Sequence, residues 1–498
     1  MENKKYVGKK ELWMYALGAG GQGMIYAMMS SYITDYYVNV LQLPLAFILA
    51  LMMGARVWDA INDPMMGMIV DRHTTKWGKM KPYIIFATPV ISILTLLMYC
   101  SPKLDMVPLM IFSAVVYILW GMSYTVADVP FWGIPNVMTP DAKERGGVIS
   151  FTKIINSIGS ALPEVFFLIV PLVLTLFISE DTNPIAFNKS KYLVIAIAAV
   201  VLGGILYVNS YFHIKERVVL PDKKKKPGEP SSLSRIFKCK PLMLVVLMGV
   251  LSSGRYMVQA AAVHVARYAF YIGPELTETM SLAERTAAIE SSVSLVKTIF
   301  QVCAIVGMFG TTLFMPYLMK KFDYKKIVIT TCLLGFVASL FTTFIGWQFN
   351  NLLICTPFIL IQCIPLGVIN VLCYAMICDC LDYMELNTGY RENGLGAACQ
   401  GFINKIGNAF ANAGIIVMYM VMEMDPSAML SSEAIKSALD IAAEQRFAMF
   451  SLVSLVPGVS MLLCALPMFF YKISGKEKEK MLQDLKAKRE AEGLVIAE

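Results

Sequence analysis

The chain contains a succession of apolar runs, each long enough to cross a lipid bilayer as one helix. A crossing takes about 20 residues, because a helix rises about 1.5 Å per residue through roughly 30 Å of hydrocarbon. Twelve runs meet this length, at residues 13–40, 45–70, 83–101, 107–137, 148–178, 192–212, 242–272, 293–319, 327–347, 352–380, 395–422 and 447–470. The composition agrees, since 57% of the residues are hydrophobic and 16% are charged, which excludes a soluble globular protein. We therefore predict an all-α polytopic membrane protein with twelve transmembrane helices.

A polar, Pro- and Ser-rich stretch at 214–241 separates the first six runs from the last six. It predicts a six-helix bundle at 1–213, a linker at 214–241, a second six-helix bundle at 242–472 and a charged tail at 473–498. Basic loops follow both the second and the eighth run, which indicates internal duplication. Two such bundles with a site between them are typical of the major-facilitator fold.

Most of the 43 Lys and Arg residues lie in the termini, the linker and the loops on the same side as these. Basic residues accumulate on the cytoplasmic side of a membrane protein. We therefore expect a multi-pass protein of the bacterial plasma membrane, working as a monomer in the lipid bilayer with both termini in the cytoplasm.

The second run carries two carboxylates, Asp59 and Asp63, within hydrocarbon-length sequence. Residues four apart lie on one face of a helix, and an ionised carboxylate in hydrocarbon costs at least about 2.5 kcal/mol, so such residues are functional candidates. Pro64 has no N–H to donate to the carbonyl of Ala60, which leaves a further oxygen beside the pair. The arrangement indicates an oxygen-lined cation site.

The fourth run places Thr125, Asp128 and Trp132 on one helical stripe. A carboxylate accepts hydrogen bonds from sugar hydroxyls, and an indole stacks on the apolar face of a sugar ring. A few polar groups in an apolar cleft are typical of a small-molecule site. The stripe therefore indicates sugar binding.

Motifs of other functional classes are missing from the sequence. It holds no GxSxG, HExxH or P-loop motif, and His73, His213 and His264 show no metal-ligand spacing. We expect no enzyme activity, no cofactor beyond a coupling cation and no nucleic-acid partner. A uniporter and a carrier-fold sugar sensor remain alternatives to a symporter. The sequence assigns no role to Glu164, Arg255 or Lys297.

Four segments together resemble the glycoside-pentoside-hexuronide:cation symporter family, and the first two resemble its melibiose carriers. They read RVWDAINDPMMGMIVDRHTTKWGKMKPY, YILWGMSYTVADVPFW, ICDCLDY and FINKIGNAFA. The resemblance runs from the first to the eleventh run with order and spacing kept. It implies a major-facilitator fold and cation-coupled uptake of a sugar or glycoside by alternating access, with Na⁺, Li⁺ or H⁺ as the coupling ion.

The resemblance also implies roles for individual residues. The cation-binding residues are Asp59, Asp63 and Thr125, and the sugar-binding residues are Gln22, Asp128, Trp132, Lys153 and Lys405. We assign coupling or gating roles to Arg56, Tyr124, Asp379 and Asp382, with the last two acids expected to pair with basic residues of other loops.

This chain departs from the melibiose-carrier pattern at three positions. Gln22 and Gly23 stand where those carriers hold a lysine followed by a sugar-binding aspartate, Lys153 replaces an arginine, and Asn370 replaces an aromatic residue. One carboxylate fewer makes the site less negative. A hexuronide or another carboxylated sugar is therefore an alternative to a neutral glycoside.

Overall fold

The structure is a computed structural model, and it describes residues 5–33, 36–100, 102–174, 184–218, 231–277, 280–349, 352–423 and 441–491. Throughout these ranges the chain is helical, without a β-strand; the sole β-bridge found in them joins Thr75 and Gly78 in a tight turn. The predicted all-α class is confirmed.

Helical segments coincide with all twelve predicted spans. The first six are α1 (Lys9–Ala27), α2 (Leu45–Arg72), α3 (Pro82–Met98), α4 (Met106–Gly133), α5 (Ala142–Leu174) and α6 (Pro184–His213). The next is broken: α7 comprises Lys240–Leu251, a 3-10 turn at Ser252–Tyr256, and the short helices Met257–Ala260 and Ala262–Tyr268. Then come α8 (Leu282–Lys321), α9 (Tyr324–Phe349), α10 (Leu352–Gln362 and Ile364–Thr388), α11 (Asn393–Val421), α12 (Ala443–Ser451 and Leu455–Phe470) and the tail helix α13 (Gly475–Ala491).

The helices carry apolar side chains on their outside. Phe344 is 69% exposed and Met420 is 73% exposed, while Asp59, Thr125 and Lys153 are buried. By length and apolar composition alone, eight helices within the described ranges qualify as membrane-crossing, and the apolar segments Ala46–Ala55 and Pro82–Met98 are shorter. An apolar exterior around a partly polar interior is the arrangement that a lipid solvent requires.

The chain divides into two compact units. Unit 1 comprises Met1–Cys239, Ile377–Phe402 and Lys480–Glu498; unit 2 comprises Lys240–Met376 and Ile403–Glu479. The predicted division into bundles and linker stays a prediction, and residues 219–230 of that linker lie outside the described residues. Its described part contains a short helix, Ser232–Lys238, which Ser231 caps by accepting a hydrogen bond from the Ser234 N–H.

In unit 1, α1 packs closely against α5 because both helices present glycine at the crossing. A Cβ built on Gly159 would lie 2.0 Å from the carbonyl oxygen of Gly20, which a real side chain cannot tolerate. Small residues at helix crossings allow backbones to approach closely in membranes. This contact fixes the depth of Gln22, two residues further along α1.

Unit 2 has its own core, in which α7 and α8 pack on α10 and α12. Val265, Phe300, Ile359 and Phe450 are among its fully buried residues. All eleven cysteines lie in the described ranges as free thiols; nine are buried, Cys399 is half-buried and Cys100 is exposed.

The glycine contact leads to a stability prediction. Gly159→Ala should lower the stability of the folded protein by roughly 1–3 kcal/mol, the usual cost of overpacking, because the new methyl group meets backbone that cannot rotate away. Thermal unfolding in detergent, followed by tryptophan fluorescence, measures the change.

Gly147→Ala is the matched control on the same helix. A Cβ on Gly147 meets nothing within 4 Å, so this change should be neutral or stabilise by about 0.5–1 kcal/mol through helix propensity. Equal melting temperatures for the two variants would contradict the packing assignment.

Candidate functional site

The two acids of α2 lie in the interior of unit 1. Asp59 is 8% exposed and Asp63 is 3% exposed. Thr125 of α4, which is 1% exposed, donates a hydrogen bond from Oγ1 to Asp63 Oδ1 over 3.0 Å. The structure thus places Thr125 beside Asp63, which lies one helical turn from Asp59. Carboxylate and hydroxyl oxygens of this kind are the ligands that hard cations prefer.

Gly401 also lies at this site, although no pattern in the sequence indicated it. A Cβ on Gly401 would lie 3.1 Å from Asp63 Oδ2, so only glycine leaves that carboxylate in place. Gly121 lies beside the other acid, with its Cβ position 3.9 Å from Asp59 Oδ1. Glycine residues of α11 and α4 therefore lie next to the two carboxylates.

Asp128 lies one turn further along α4 and contacts α1. Gln22 Nε2 donates to Asp128 Oδ1 over 2.6 Å, and Tyr124 forms a side-chain hydrogen bond with the same carboxylate. The other amide atom, Gln22 Oε1, is buried and has no hydrogen-bond partner among the described residues. A buried acceptor without a donor costs about 1–3 kcal/mol, so this oxygen is suited to receive a hydroxyl or ammonium proton from a ligand.

Lys153 and Trp132 lie together in the same unit. The Lys153 ammonium is 3.8 Å from the centroid of the Trp132 ring, and both side chains are buried. This is cation–π geometry. One face of the indole therefore faces the ammonium, and the stacking of Trp132 on a sugar stays a prediction.

The remaining assigned residues lie elsewhere. Lys405 is half-buried on the part of α11 that belongs to unit 2. The side chains of Arg56 and Glu164 lie outside the described part of the structure.

A network of buried charges occupies the end of α10 where Asp379 and Asp382 lie. Arg145 of α5 contacts Asp382 over 2.5 Å and Asp379 over 3.5 Å. Arg391 also pairs with Asp382 and lies 3.0 Å from Glu385. Paired charges and neighbouring donors compensate one another in a buried setting, and removing one partner is strongly destabilising.

The tail helix joins this network. Arg489 of α13 forms two hydrogen bonds with Glu385, of 2.7 and 2.6 Å, and Lys488 donates to the carbonyl oxygens of Glu385 and Leu386. The roles of Arg145, Arg391 and Arg489 were not evident in the sequence, because a basic residue near the end of a span does not reveal which acid it pairs with.

Asp71, just past the second predicted span, caps the start of α11. Its carboxylate accepts hydrogen bonds from the N–H groups of Gly394 (2.8 Å) and Leu395 (3.0 Å). Such an anion at a helix N-terminus satisfies orphan donors and complements the helix dipole. Withdrawal from water nevertheless raises the pKa of Asp71 to about 7, against the lowering effect of Lys79 and the two N–H groups.

Helical spans, an apolar exterior and buried polar groups define the class of a membrane transporter. The solved fucose:proton symporter FucP of E. coli has the same fold: the TM-score is 0.60 at 14% identity, covering 94% of this chain and 100% of that chain. At this identity the likeness shows the fold alone, and it confirms the predicted major-facilitator fold.

A family model described as MFS/sugar transport protein matches residues 14–272 and 294–475. The chain belongs to this family of sugar transporters, and the resemblance noted in its motifs is confirmed. The uncharacterized symporter YjmB of Bacillus subtilis is 24% identical over 98% of this chain and 97% of its own length. The inner membrane symporter YicJ of Escherichia coli is 28% identical over 81% of both chains.

The raised pKa of Asp71 predicts how stability depends on pH. An aspartate in an unfolded chain has a pKa of about 3.9, so between about pH 4 and 7 the folded protein holds a proton that the unfolded chain has lost. Stability should therefore rise as the pH falls through 7. Asp71→Asn keeps an acceptor oxygen for α11 but removes the titration, and should flatten this dependence.

Thermal unfolding of the wild type and Asp71→Asn between pH 8 and about pH 3.5 measures the effect. The difference between the two melting temperatures should begin to change as the pH falls below about 7, change steadily, and level off below about pH 4. Parallel curves across the whole range would show that Asp71 does not titrate in this window.

Proposed function

We propose that the protein is a sugar or glycoside symporter that couples uptake to Na⁺, Li⁺ or H⁺ by alternating access. Asp59, Asp63 and Thr125 bind the cation. The sugar binds at Gln22, Asp128, Trp132 and Lys153, and Lys405 is a further sugar-binding residue by the family resemblance. The protein works as a monomer in the plasma membrane with both termini in the cytoplasm.

The need for a cation follows from the acid pair. Two ionised carboxylates on one face of a buried helix repel each other, and one of them is disfavoured unless a positive charge is present. The hydroxyl of Thr125 satisfies one oxygen of Asp63 but brings no charge. A monovalent cation or a proton bound at the two carboxylates relieves this repulsion.

The observation that best supports the proposal is that one turn of α4 contributes a residue to the cation site and a residue to the sugar site. Thr125 bonds to the acid pair, and Asp128, three residues later, bonds to Gln22. A shift of α4 on cation binding therefore moves the sugar-binding carboxylate as well. Thermodynamic linkage makes the effect reciprocal, so a bound sugar raises cation affinity by the factor by which the cation raises sugar affinity.

Gln22 and Asp128 supply the polar recognition of the sugar. The hydrogen bond from Gln22 Nε2 orients the Asp128 carboxylate and leaves Gln22 Oε1 as an acceptor. The apolar face of the sugar packs on Trp132. Lys153, held over the other face of that indole, brings a positive charge beside the bound sugar.

The buried network around Asp379 and Asp382 serves as the cytoplasmic gate. Arg145 comes from α5 and the acids from α10. Opening toward the cytoplasm requires these ion pairs to separate. Water then hydrates the separated charges and compensates for the lost attraction. Tyr124 contributes to coupling through its hydrogen bond with Asp128, and the coupling role of Arg56 follows from the family resemblance alone.

Reconstituted vesicles test the coupling. The wild type should accumulate a transported glycoside against its gradient only when an inward Na⁺, Li⁺ or H⁺ gradient is imposed. Asp59→Asn and Asp63→Asn should abolish this accumulation while equilibrium exchange of labelled sugar persists, because the sugar site is intact. Cation-driven accumulation by both variants would refute the assignment of the acids.

Thr125 provides a finer control on the same assay. Thr125→Val should raise the half-saturating cation concentration, whereas Thr125→Ser keeps the hydroxyl and should not. Thr88→Val is the matched control, since the Thr88 hydroxyl bonds only the carbonyl of Ile84 in its own helix. Cation-independent equilibration by the wild type would instead favour a uniporter, and binding without transport would favour a sensor.

The sugar-binding role of Asp128 gives a separate prediction. Asp128→Asn removes a charge-assisted hydrogen bond worth roughly 1.5–3 kcal/mol, so sugar affinity should fall by about one to two decades. Trp132→Phe should have a smaller effect. Calorimetric titration with the transported glycoside measures both, with the exposed Asp105→Asn at the start of the same helix as control; unchanged affinity in Asp128→Asn would discard this site.

A further inference from the structure

A groove of about 520 Å³ runs along the outside of unit 1 between α3 and α6. Its lining includes Thr88 and Ser92 of α3 and Ile205, Asn209 and Phe212 of α6. Ile205 is 64% exposed and Phe212 is 67% exposed, so the groove opens to the surroundings of the helices, which are hydrocarbon in a membrane. Its volume lies within the range of small-molecule sites, about 300–1,000 Å³.

The groove exists because α6 has a glycine at its deepest point. A Cβ on Gly204 would lie 3.5 Å from Ser92 Oγ, so a larger side chain there would fill the space between the two helices. From Pro82 to Ser92 the helix α3 rises roughly 15 Å, which is half of a hydrocarbon core about 30 Å thick. The groove therefore covers the depth of one membrane leaflet.

Positive charge gathers at the end of the groove where α3 begins. The segment 72–81 leads into α3 and contains four basic residues and no acid: Arg72, Lys76, Lys79 and Lys81. Trp77 of the same segment is 48% exposed, and exposed tryptophan is typical of the membrane–water interface. This end of the groove therefore lies at the level of the lipid headgroups.

Lys81 is the basic residue that borders the groove. It precedes Thr88 by two helical turns and so lies on the same face of α3. Its ammonium donates to the carbonyl oxygen of Ile214 over 3.4 Å and lies 5.2 Å from the centroid of the Tyr211 ring. Both of these partners lie within two residues of Phe212, so the ammonium is placed where the groove ends on α6.

An acid beside this lysine fixes the local backbone. The carboxylate of Glu216 accepts hydrogen bonds from the backbone N–H groups of Lys79 (2.6 Å), Met80 (2.8 Å) and Lys81 (2.8 Å). Gly78 allows this approach, because its φ is +121° and a Cβ there would lie 2.8 Å from the carboxylate. Backbone donors thus satisfy Glu216, and the Lys81 ammonium, which has three N–H donors, retains donors beyond its bond to Ile214.

We propose that this groove binds one anionic phospholipid, with an acyl chain along α6 and the headgroup phosphate at the Lys81 ammonium. The inference goes beyond the proposed function, because the groove contains none of the residues assigned to the sugar or the cation. Basic pockets between membrane helices on the cytoplasmic side are typical sites for anionic headgroups, and the proposed orientation puts this end of α3 on that side.

The order of chemical groups along the groove matches a phospholipid. The ammonium of Lys81 suits a phosphate, and Asn209, one turn inward from Phe212, suits the ester oxygens that follow. The apolar side chains of Val201 and Ile205, deeper along α6, suit hydrocarbon. A second copy of the chain fits less well, because a twofold axis normal to the membrane would bring Lys81 of both copies to the same depth, where like charges repel.

Native mass spectrometry of the delipidated protein tests the proposal. The protein in detergent is titrated with phosphatidylglycerol and, separately, with phosphatidylcholine that has identical acyl chains. The wild type should retain one phosphatidylglycerol per chain, with an affinity about fivefold or more above that for phosphatidylcholine, because one lysine favours the lipid with net negative charge.

Variants of Lys81 locate the headgroup. Lys81→Gln should bind the two lipids equally, and Lys81→Arg should keep the preference for phosphatidylglycerol. Lys103→Gln is the matched control, since it removes an exposed lysine that follows the other end of α3, and it should keep the preference in full.

A pair of tryptophan variants locates the acyl chain. Val201→Trp fills the groove and should lower the affinity for both lipids by at least about fivefold. Val194→Trp is its control, because Val194 is 39% exposed on the same helix but does not line the groove; this variant should bind both lipids like the wild type. The tryptophan pair tests the groove independently of the lysine variants.

Three results would overturn the proposal: equal binding of the two lipids by the wild type, a preference that persists in Lys81→Gln, or undiminished lipid binding by Val201→Trp. Dimers of the wild type that retain no lipid and disappear in Val201→Trp would show instead that a second copy of the chain covers the groove. The assay needs no transport activity, so its outcome is independent of cation coupling.

Discussion

The structure depends on one constraint, the high free energy of a charged side chain in hydrocarbon. Asp63 accepts a hydrogen bond from the Thr125 hydroxyl, and Asp128 accepts one from the amide of Gln22. The Lys153 ammonium lies over the face of the Trp132 ring. Asp128 and Lys153 also interact through their opposite charges. Charged groups gathered in this way inside a membrane protein are candidates for binding a ligand.

The end of α10 that holds Asp379 and Asp382 satisfies the same constraint in another way. There Arg145, Arg391 and Arg489 neutralise Asp382 and Glu385 outright. Each of these acids is paired with at least one arginine, and such mutual compensation is what makes buried charges tolerable. Within unit 1 the glycine crossing of α1 and α5 keeps the deep groups in register, since neither helix can slide without moving backbone against backbone.

The sequence predicted the parts of this structure that follow from local pattern. Twelve apolar runs gave twelve helical spans because lipid leaves a helix as the only way to satisfy the backbone of a single crossing. Asp59, Asp63 and Asp128 were evident because acids are rare in such runs. Partners distant in sequence were not evident: nothing in the local pattern connects Gly401 with Asp63 or Asp71 with Gly394. The break of α7 at Arg255 was also hidden, because Ser252 and Gly254 are common in unbroken membrane helices.

The burial of the cysteines has a practical consequence for spectroscopy. Of the eleven thiols, Cys100 alone is exposed and Cys399 half-buried; thiolate formation, and hence labelling, needs contact with water. Replacing Cys100 would remove most of the background labelling by native thiols and would leave the buried cysteines in place. Spin labels introduced in pairs on exposed loops could then report distances in each transport state. The alternation of access can be followed in this way without replacing the cysteines of the core.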